Sequence, residues 1–521
     1  MVTEASKTTD ASVPEAPAPW PRYAIFTLCA SLYLLPFMRI IFAGTDEGTF
    51  LCGAERIVHG QVFARDFFEV MGPGSFYWLA LFFKLFGVTF LASRICLFIS
   101  SLGTALLMYY LSCRECDRYR TLPCLILAGT YFGVLWPGIS HHVDSNLAAL
   151  LAVACMVLWS DRPRNSLLIS AGILAGVTTC VHQPKGVFLY CAILAWFWLQ
   201  RRRTSAPLLA AGLLTGGYFL VAALVLAYFW SHGALSSLVY ANFVFTRQSY
   251  GTVNSIAYAF GILNRYWTPW FTSMGQGGWA VAISSILITP LLFVAALPVL
   301  ILFVGIRCKW KSITPVIALY WLCGWALWLS EFHRRDIEHL VFGSTLLIIL
   351  CIQALTGSRR KLADIALQIL AICAVCLAGF NCCTVLVAGA HPITTRVGRV
   401  AVLGQNALLS YLNEHISPGE EILIYPYSPS YYFLSATTNP TRYSFLTYNY
   451  NTPAQFREVV NVLEQRRVRY VIWDTTFEAK AEKNFPGMRP KNPSDRIVEP
   501  YLETYYRLVE NENGIQIMER K

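Results

Sequence analysis

Residues 23–48 read YAIFTLCASLYLLPFMRIIFAGTDEG, an apolar run broken by a single arginine and ended by two adjacent acids, Asp46 and Glu47. A bilayer core takes about 20 apolar residues per helix, so the run is long enough to cross one. A secretory signal would place a small-residue cleavage site after it. Phe37-Met38-Arg39-Ile40 stands there instead, and the segment is expected to be retained as a membrane span. The rest of the chain agrees with that reading. Of 521 residues, 55% are hydrophobic, 14% aromatic and only 14% charged, and the mean hydropathy is +0.48. Soluble domains carry about 25% charged residues, so the composition excludes a cytosolic enzyme.

The formal net charge of +11 would suggest nucleic acid as a partner in a soluble chain. Here residues 391–521 hold 15 Lys/Arg against 14 Asp/Glu, so the excess sits among the apolar segments, where topology accounts for it, and no nucleic acid is expected. The 16 cysteines lie almost entirely in apolar runs, with none beyond residue 390. No CxxC pairs with a second metal-spaced pair, which points to neither a zinc module nor a disulfide framework.

Further apolar segments fall near 90–112, 121–139, 145–160, 166–181, 187–200, 206–230, 279–306, 313–330, 340–356 and 363–388. The pattern predicts an α-helical polytopic membrane protein of about eleven transmembrane helices over 22–390, preceded by a disordered cytoplasmic tail at 1–21. Alternate connections are basic: Arg114, Arg118 and Arg120; Arg162 and Arg164; Arg201, Arg202 and Arg203; Arg307, Lys309 and Lys311; Arg359, Arg360 and Lys361. By the positive-inside tendency these face the cytoplasm. The connections 43–89, 140–144, 182–186, 231–278 and 331–339 then face outward together. They carry the acids, histidines and aromatics, so chemistry is expected on that face.

An odd number of spans puts residues 391–521 outside as well. That tail reads as a small extracytoplasmic α/β domain: a helix through 399–416, a strand over 420–426, a helix opened by Thr452-Pro453 and running to about Arg467, and a strand over 468–473. A Lys/Pro/Asn-rich loop near 480–495, a last helix and a hairpin turned at Asn513-Gly514 complete it.

Several polar groups stand at the predicted outer edge. Asp46 and Glu47 sit at a membrane boundary, where partial desolvation tunes a carboxylate for general-base work or metal ligation, or where the two acids are simply a hydrated loop start. The same loop carries Asp66, then Gly72-Pro73-Gly74 and an aromatic run suited to an interfacial helix, with Lys84 snorkelling. His141 and His142 precede Asp144; neighbours on a helix point about 100° apart, so this pair reads first as hydrogen-bonding histidines and second as metal ligands. Lys185 follows His182-Gln183-Pro184, where an ammonium either binds a lipid phosphate or snorkels to headgroups. Arg334, Arg335, Asp336 and His339 form a dense cluster on an outer loop, against the positive-inside tendency. A guanidinium fork there would complement a phosphate, and the alternative is a structural ion-pair cluster. The aromatic stretch 231–278, with Tyr240, Phe243, Tyr258, Tyr266, Trp267 and Trp270, suits an interfacial belt or a groove for a polyprenyl chain.

The order span, Asp46-Glu47, Asp66-Phe67, Gly72-Pro73-Gly74, aromatic run, Leu85-Phe86-Gly87 and Arg94 resembles the start of the GT-C superfamily of membrane glycosyltransferases. It is most similar to bacterial members related to aminoarabinose transferases, protein O-mannosyltransferases and rhizobial lipopolysaccharide glycosyltransferases. The resemblance implies a multi-pass inner-membrane enzyme that moves a sugar from a polyprenyl-phosphate donor to a lipid, glycan or protein acceptor on the extracytoplasmic face, with inversion. It also implies Asp46 as base with Glu47 beside it, Asp144 as the second outer acid, and Lys185, Arg334, Arg335 and His339 around the donor phosphate. Where the family often has arginine before the second acid, this chain has His141 and His142. A divalent metal ion is compatible with that set. Other classes that fit the composition are a lipid or solute transporter and a non-catalytic scaffold with a partner-binding tail.

Overall fold

The computed structural model describes residues 20–42, 46–131, 138–202, 206–250, 253, 256–262, 278–308, 313–357, 361–403, 407–482 and 492–521. The expectations for the N-terminal tail to residue 19, for Tyr266, Trp267 and Trp270, and for most of the 480–495 loop lie outside these residues.

A helix occupies the place of each apolar segment. In chain order they are α1 (Trp20–Leu34), α2 (Glu47–Val58), α3 (Gly74–Phe86), α4 (Phe90–Glu115), α5 (Leu122–Tyr131), α6 (His141–Asp161), α7 (Asn165–Val181), α8 (Gln183–Gln200), α9 (Pro207–Ser231), α10 (Leu235–Val239), α11 (Gly278–Cys308), α12 (Pro315–Ser330), α13 (Ile337–Gly343), α14 (Thr345–Gly357) and α15 (Lys361–Ala388). Among the described residues, α4, α6, α9, α15 and the Val281–Phe303 part of α11 are each long and apolar enough to cross a membrane, and α13 with α14 makes a further candidate bent by 72°. Their outer surfaces stay apolar: Leu208, Trp230, Val299 and Ile372 are between 62% and 88% exposed. Such a surface is stable only against lipid, where each helix meets its own backbone hydrogen-bonding needs. The chain is thus built as a multi-pass membrane protein.

Small residues let helices approach closely where lipid supplies no hydrophobic drive. A Cβ added at Gly172 of α7 would stand 2.0 Å from Leu214 O of α9, and one at Gly217 of α9 would stand 2.4 Å from Ile169 O of α7. Polar residues begin the helices at one end: Thr89 caps α4, Ser140 caps α6 and Asp336 caps α13, each side chain accepting a backbone N–H of the first turn.

The C-terminal residues are joined to the membrane part by a sheet. Strand β1 (Ile40–Phe42) follows the first helix and pairs in parallel with β3 (Gly398–Leu403), which also pairs antiparallel with β2 (Ile393–Thr395). The helix expected over 399–416 is corrected by this: its first third is strand β3, whose alternating Val400 and Val402 fit period two, and the helix is confined to Ala407–His415. A second sheet, in the order β4-β5-β7-β6, comprises Ile422–Tyr425, Tyr470–Asp474, Ile515–Arg520 and Tyr506–Glu512 respectively. Thr452 and Gln455 close a reciprocal capping box at the start of the Pro453–Gln465 helix. Asn513 and Gly514 turn the final hairpin at φ +52° and +85°, the left-handed pair such a turn needs.

Candidate active site

The five polar connections meet at one end of the helical bundle. Glu47 Oε1 accepts the backbone N–H of Ile139, which ties the first loop to the start of α6. His142 Nδ1 lies 3.3 Å from Glu331 Oε1. Gln183 donates to Asn242 at 2.9 Å, and Asn242 in turn reaches the carbonyls of Val70 and Met71. Arg65 donates to the carbonyl of His232 at 2.8 Å, and Ala259 donates to the carbonyl of Arg335 at 2.7 Å. At the opposite end of α4 Arg114 pairs with Asp161 and Arg118 with Asp364, so among the described residues these basic groups gather apart from the polar connections.

Asp46 stands half-buried just before α2, and its Oδ1 accepts a hydrogen bond from the phenol of Tyr427, which the C-terminal residues bring in. Burial raises the Tyr427 phenol well above its usual range, and the Asp46 charge adds to this, while Arg334 lies close enough to act in the opposite sense. Glu69, 1% exposed, joins the group: burial pushes its carboxyl up to about 8, with Asp46 adding to the shift and Ser444 and Arg56 opposing it. A largely protonated acid therefore neighbours Asp46 near neutral pH.

Glu47 is 2% exposed and forms a buried ion pair with Arg94 of α4. Burial raises its carboxyl, against the pull of Arg94. Arg94 also reaches the carbonyl of Ile40 and lies over the Phe90 ring. Asp144, in the first turn of α6, receives Ser75 Oγ of α3 at 2.7 Å and Ser100 Oγ of α4 at 2.8 Å, one on each oxygen. Asp46 and Asp144 thus lie at the same end of the molecule, linked through Glu47, Ile139 and the α6 start.

Lys185 has no solvent exposure. It donates to Ser145 Oγ at 3.1 Å and Asn146 Oδ1 at 2.9 Å and pairs with Glu331 at 2.8 Å. Burial would raise the Glu331 carboxyl, but the Lys185 ammonium holds it down at about 2. Asp336 receives Arg334 Nε at 2.7 Å on one oxygen and His339 Nδ1 at 2.6 Å on the other. Burial acts upward on Asp336, yet His339 and Arg334 keep it well below the usual carboxylate range. Asp66 instead closes its own loop, pairing with Arg65 and accepting Val62 N–H at 2.7 Å.

Sequence reasoning assigned no role to Tyr427, Glu69 or Glu331. Glu69 and Glu331 lie in the polar connections 43–89 and 331–339, three positions from Asp66 and from Arg334; Tyr427 carries no local signal, because only tertiary docking brings it to Asp46. That docking is specific. Arg56 of α2 donates to the carbonyls of Asn439 at 3.3 Å and Thr441 at 2.7 Å, Phe68 N–H to Arg442 O at 2.7 Å, and Cys52 Sγ to Pro429 O at 3.2 Å.

In fold the chain is similar to solved proteins of the GT-C architecture. ArnT from Cupriavidus metallidurans bound to undecaprenyl phosphate superposes with a TM-score of 0.58 at 11% identity, over 96% of this chain and 98% of that one. Its apo form gives 0.56 at 12% identity over the same shares. An Archaeoglobus fulgidus oligosaccharyltransferase, tethered to an acceptor peptide containing an NVT sequon, gives 0.52 at 13% identity over 96% of this chain and 74% of that one. No protein-family model and no curated protein matches the sequence.

Proposed function

We propose that the chain transfers a sugar from a polyprenyl-phosphate donor to an acceptor hydroxyl at the extracytoplasmic face, with inversion at the anomeric carbon. The observation that carries the reading is the Tyr427 hydroxyl on Asp46 Oδ1, in a fold shared with a protein solved with undecaprenyl phosphate. A hydroxyl donating to that oxygen is the arrangement an acceptor needs before its proton is taken.

In this mechanism Asp46 accepts the proton of the acceptor hydroxyl as its oxygen bonds to the anomeric carbon. The bond from that carbon to the phosphate oxygen breaks, and polyprenyl phosphate leaves with the electron pair. Arg334, aligned by Asp336, meets the developing phosphate charge, with His339 and Arg335 on the same loop. Glu47 fixes the start of α2, and hence Asp46, through Arg94. Asp144 braces α3 and α4 against α6 through the two serines. Lys185, enclosed by its partners, acts as the counter-charge of Glu331 and not as a direct phosphate ligand. The basic end of the bundle, facing the cytoplasm, sets the acidic and histidine-rich end outside.

The test is an assay of detergent-purified protein with a panel of polyprenyl-phosphate sugars and lipid, glycan and peptide acceptors, with the anomeric configuration of the product read by NMR. Turnover of one donor with inversion supports the reading. Retention of configuration, or a strict requirement for a nucleotide-sugar donor, overturns it.

A further inference from the structure

We propose that His141, His142, His182, His333 and His339, gathered around Glu331, form a binding site for a divalent transition-metal ion of the zinc class, with His182 as the shared ligand. Nine histidines occur in the chain, and five of them meet here. The rings of His141 and His142 are 4.0 Å apart between centroids, His142 and His182 5.3 Å, His182 and His333 5.7 Å, and His142 and His339 4.8 Å.

Two triads have their ligand atoms mutually within 4.8 Å: His141, His142 and His182, and His182, Glu331 and His333. In a tetrahedral zinc site with bonds near 2.0 Å, ligand atoms stand about 3.3 Å apart. Side-chain movements of about 1 Å therefore close either triad, and His182 belongs to both; its Nδ1 accepts the Lys185 N–H at 3.3 Å, a long capping bond that ion binding has to replace, either at Nδ1 itself or by moving the ring proton from Nε2.

Three independent features point to an ion. His141 Nδ1 is buried with no hydrogen-bond partner, a costly state for an imidazole that only packs. His333 Nδ1 lies 3.1 Å from Ser330 O, which selects the tautomer with the lone pair on Nε2. His339 Nδ1 is held by Asp336 at 2.6 Å, the carboxylate–histidine pairing that orients imidazoles around metals. Glu331 turns Oε1 to Lys185, while Oε2 lies 3.2 Å from His142 Nδ1, among the imidazoles.

The donor set selects the metal. Magnesium and calcium ask for six or more oxygens, whereas an imidazole majority with one carboxylate suits zinc, cobalt, nickel or copper. The ligands come from the start of α6, the turn between α7 and α8, the loop after α12 and the first turn of α13, not from the carboxylates of residues 46 and 144. The site shares His339 with the loop proposed to meet the donor phosphate, but zinc content is read without any transfer assay, so failure of metal binding and failure of sugar transfer are told apart.

The experiment uses the full chain, made without a polyhistidine tag, purified in detergent, incubated with zinc and desalted. Elemental analysis should find about one zinc per chain, and zinc K-edge X-ray absorption should show the multiple-scattering pattern of at least two imidazoles. His182→Ala should bring zinc to background, while His391→Ala, at an exposed position, should leave it unchanged. Wild-type protein that retains no zinc above background, or bound zinc with an oxygen-only shell, overturns the proposal whether or not the His182 variant folds.

Discussion

The phenol of Tyr427 donates a hydrogen bond to Oδ1 of Asp46, across 381 residues of sequence. A C-terminal segment that reads as an appended domain thus reaches into the group at the start of α2. The contact orients the carboxylate that the proposed mechanism uses as base.

Tyr427→Phe keeps the ring packed against Phe445 and Phe477 but removes the donor. A hydrogen bond to a charged group contributes about 1.5–3 kcal/mol, so kcat/KM for transfer should fall about 10- to 100-fold. Steady-state kinetics with the identified donor checks this. An unchanged kcat/KM would mean that Tyr427 does not hold the base.

The Glu47–Arg94 pair is enclosed on both sides, at 2% and 3% side-chain exposure. Removing one partner leaves a buried carboxylate without its cation, at a cost of about 3–5 kcal/mol. Arg94→Met should therefore melt well below wild type in detergent, and Arg94→Met with Glu47→Leu should recover much of the loss. Equal melting of the single variant and wild type would contradict a structural role for the pair.

Glu69 predicts a pH dependence. Its folded carboxyl titrates at about 8 against an ordinary 4.5, because burial disfavours the charge. A raised folded value gives stability that is fully present below about pH 4.5 and is lost as pH rises towards about 8. The difference in stability between wild type and Glu69→Gln should change by about 1.4 kcal/mol per pH unit across that window and level off above it. Melting curves of both proteins from pH 5 to 9 measure it; parallel curves would rule out a neutral Glu69.

Gly48 of α2 lies against the C-terminal segment so closely that a Cβ would stand 2.1 Å from Ser430 N. Because the obstacle is backbone, Gly48→Ala should displace residues 391–521 from α2 and expose them to protease. Limited proteolysis in detergent reads this directly, and wild-type resistance in the variant would show that the docking is looser than the close approach requires.

Much of the membrane part was legible in the sequence, because an all-round apolar helix announces itself by length and composition whatever its neighbours are. The alternation of basic and polar connections was equally readable, since each loop's charge is local; the structure gathers the two kinds at opposite ends. The site was legible only as a set of residue types. Asp46, Asp144, Arg334 and His339 do gather at one end, but Lys185 and Glu47 looked accessible because their partners, Glu331 and Arg94, lie 146 and 47 positions away. The misread helix over 399–416 has the same origin. Val400 and Val402 satisfy a strand as well as a helix, and the choice is made by β1, which ends the first apolar segment. Adjacent His141 and His142 would point apart on an ideal helix, yet both rings reach the same cluster, because they stand at its first turn, where His182 and Glu331 converge.

The most direct measurement of the central claim is transfer by Asp46→Asn, an isosteric change that keeps a hydrogen-bond acceptor for Tyr427 and removes the base. With the polyprenyl-phosphate donor identified in the panel assay, the variant should bind donor and melt as wild type does, while its kcat falls by about 100- to 10,000-fold. A variant that transfers sugar at the wild-type rate would contradict the account.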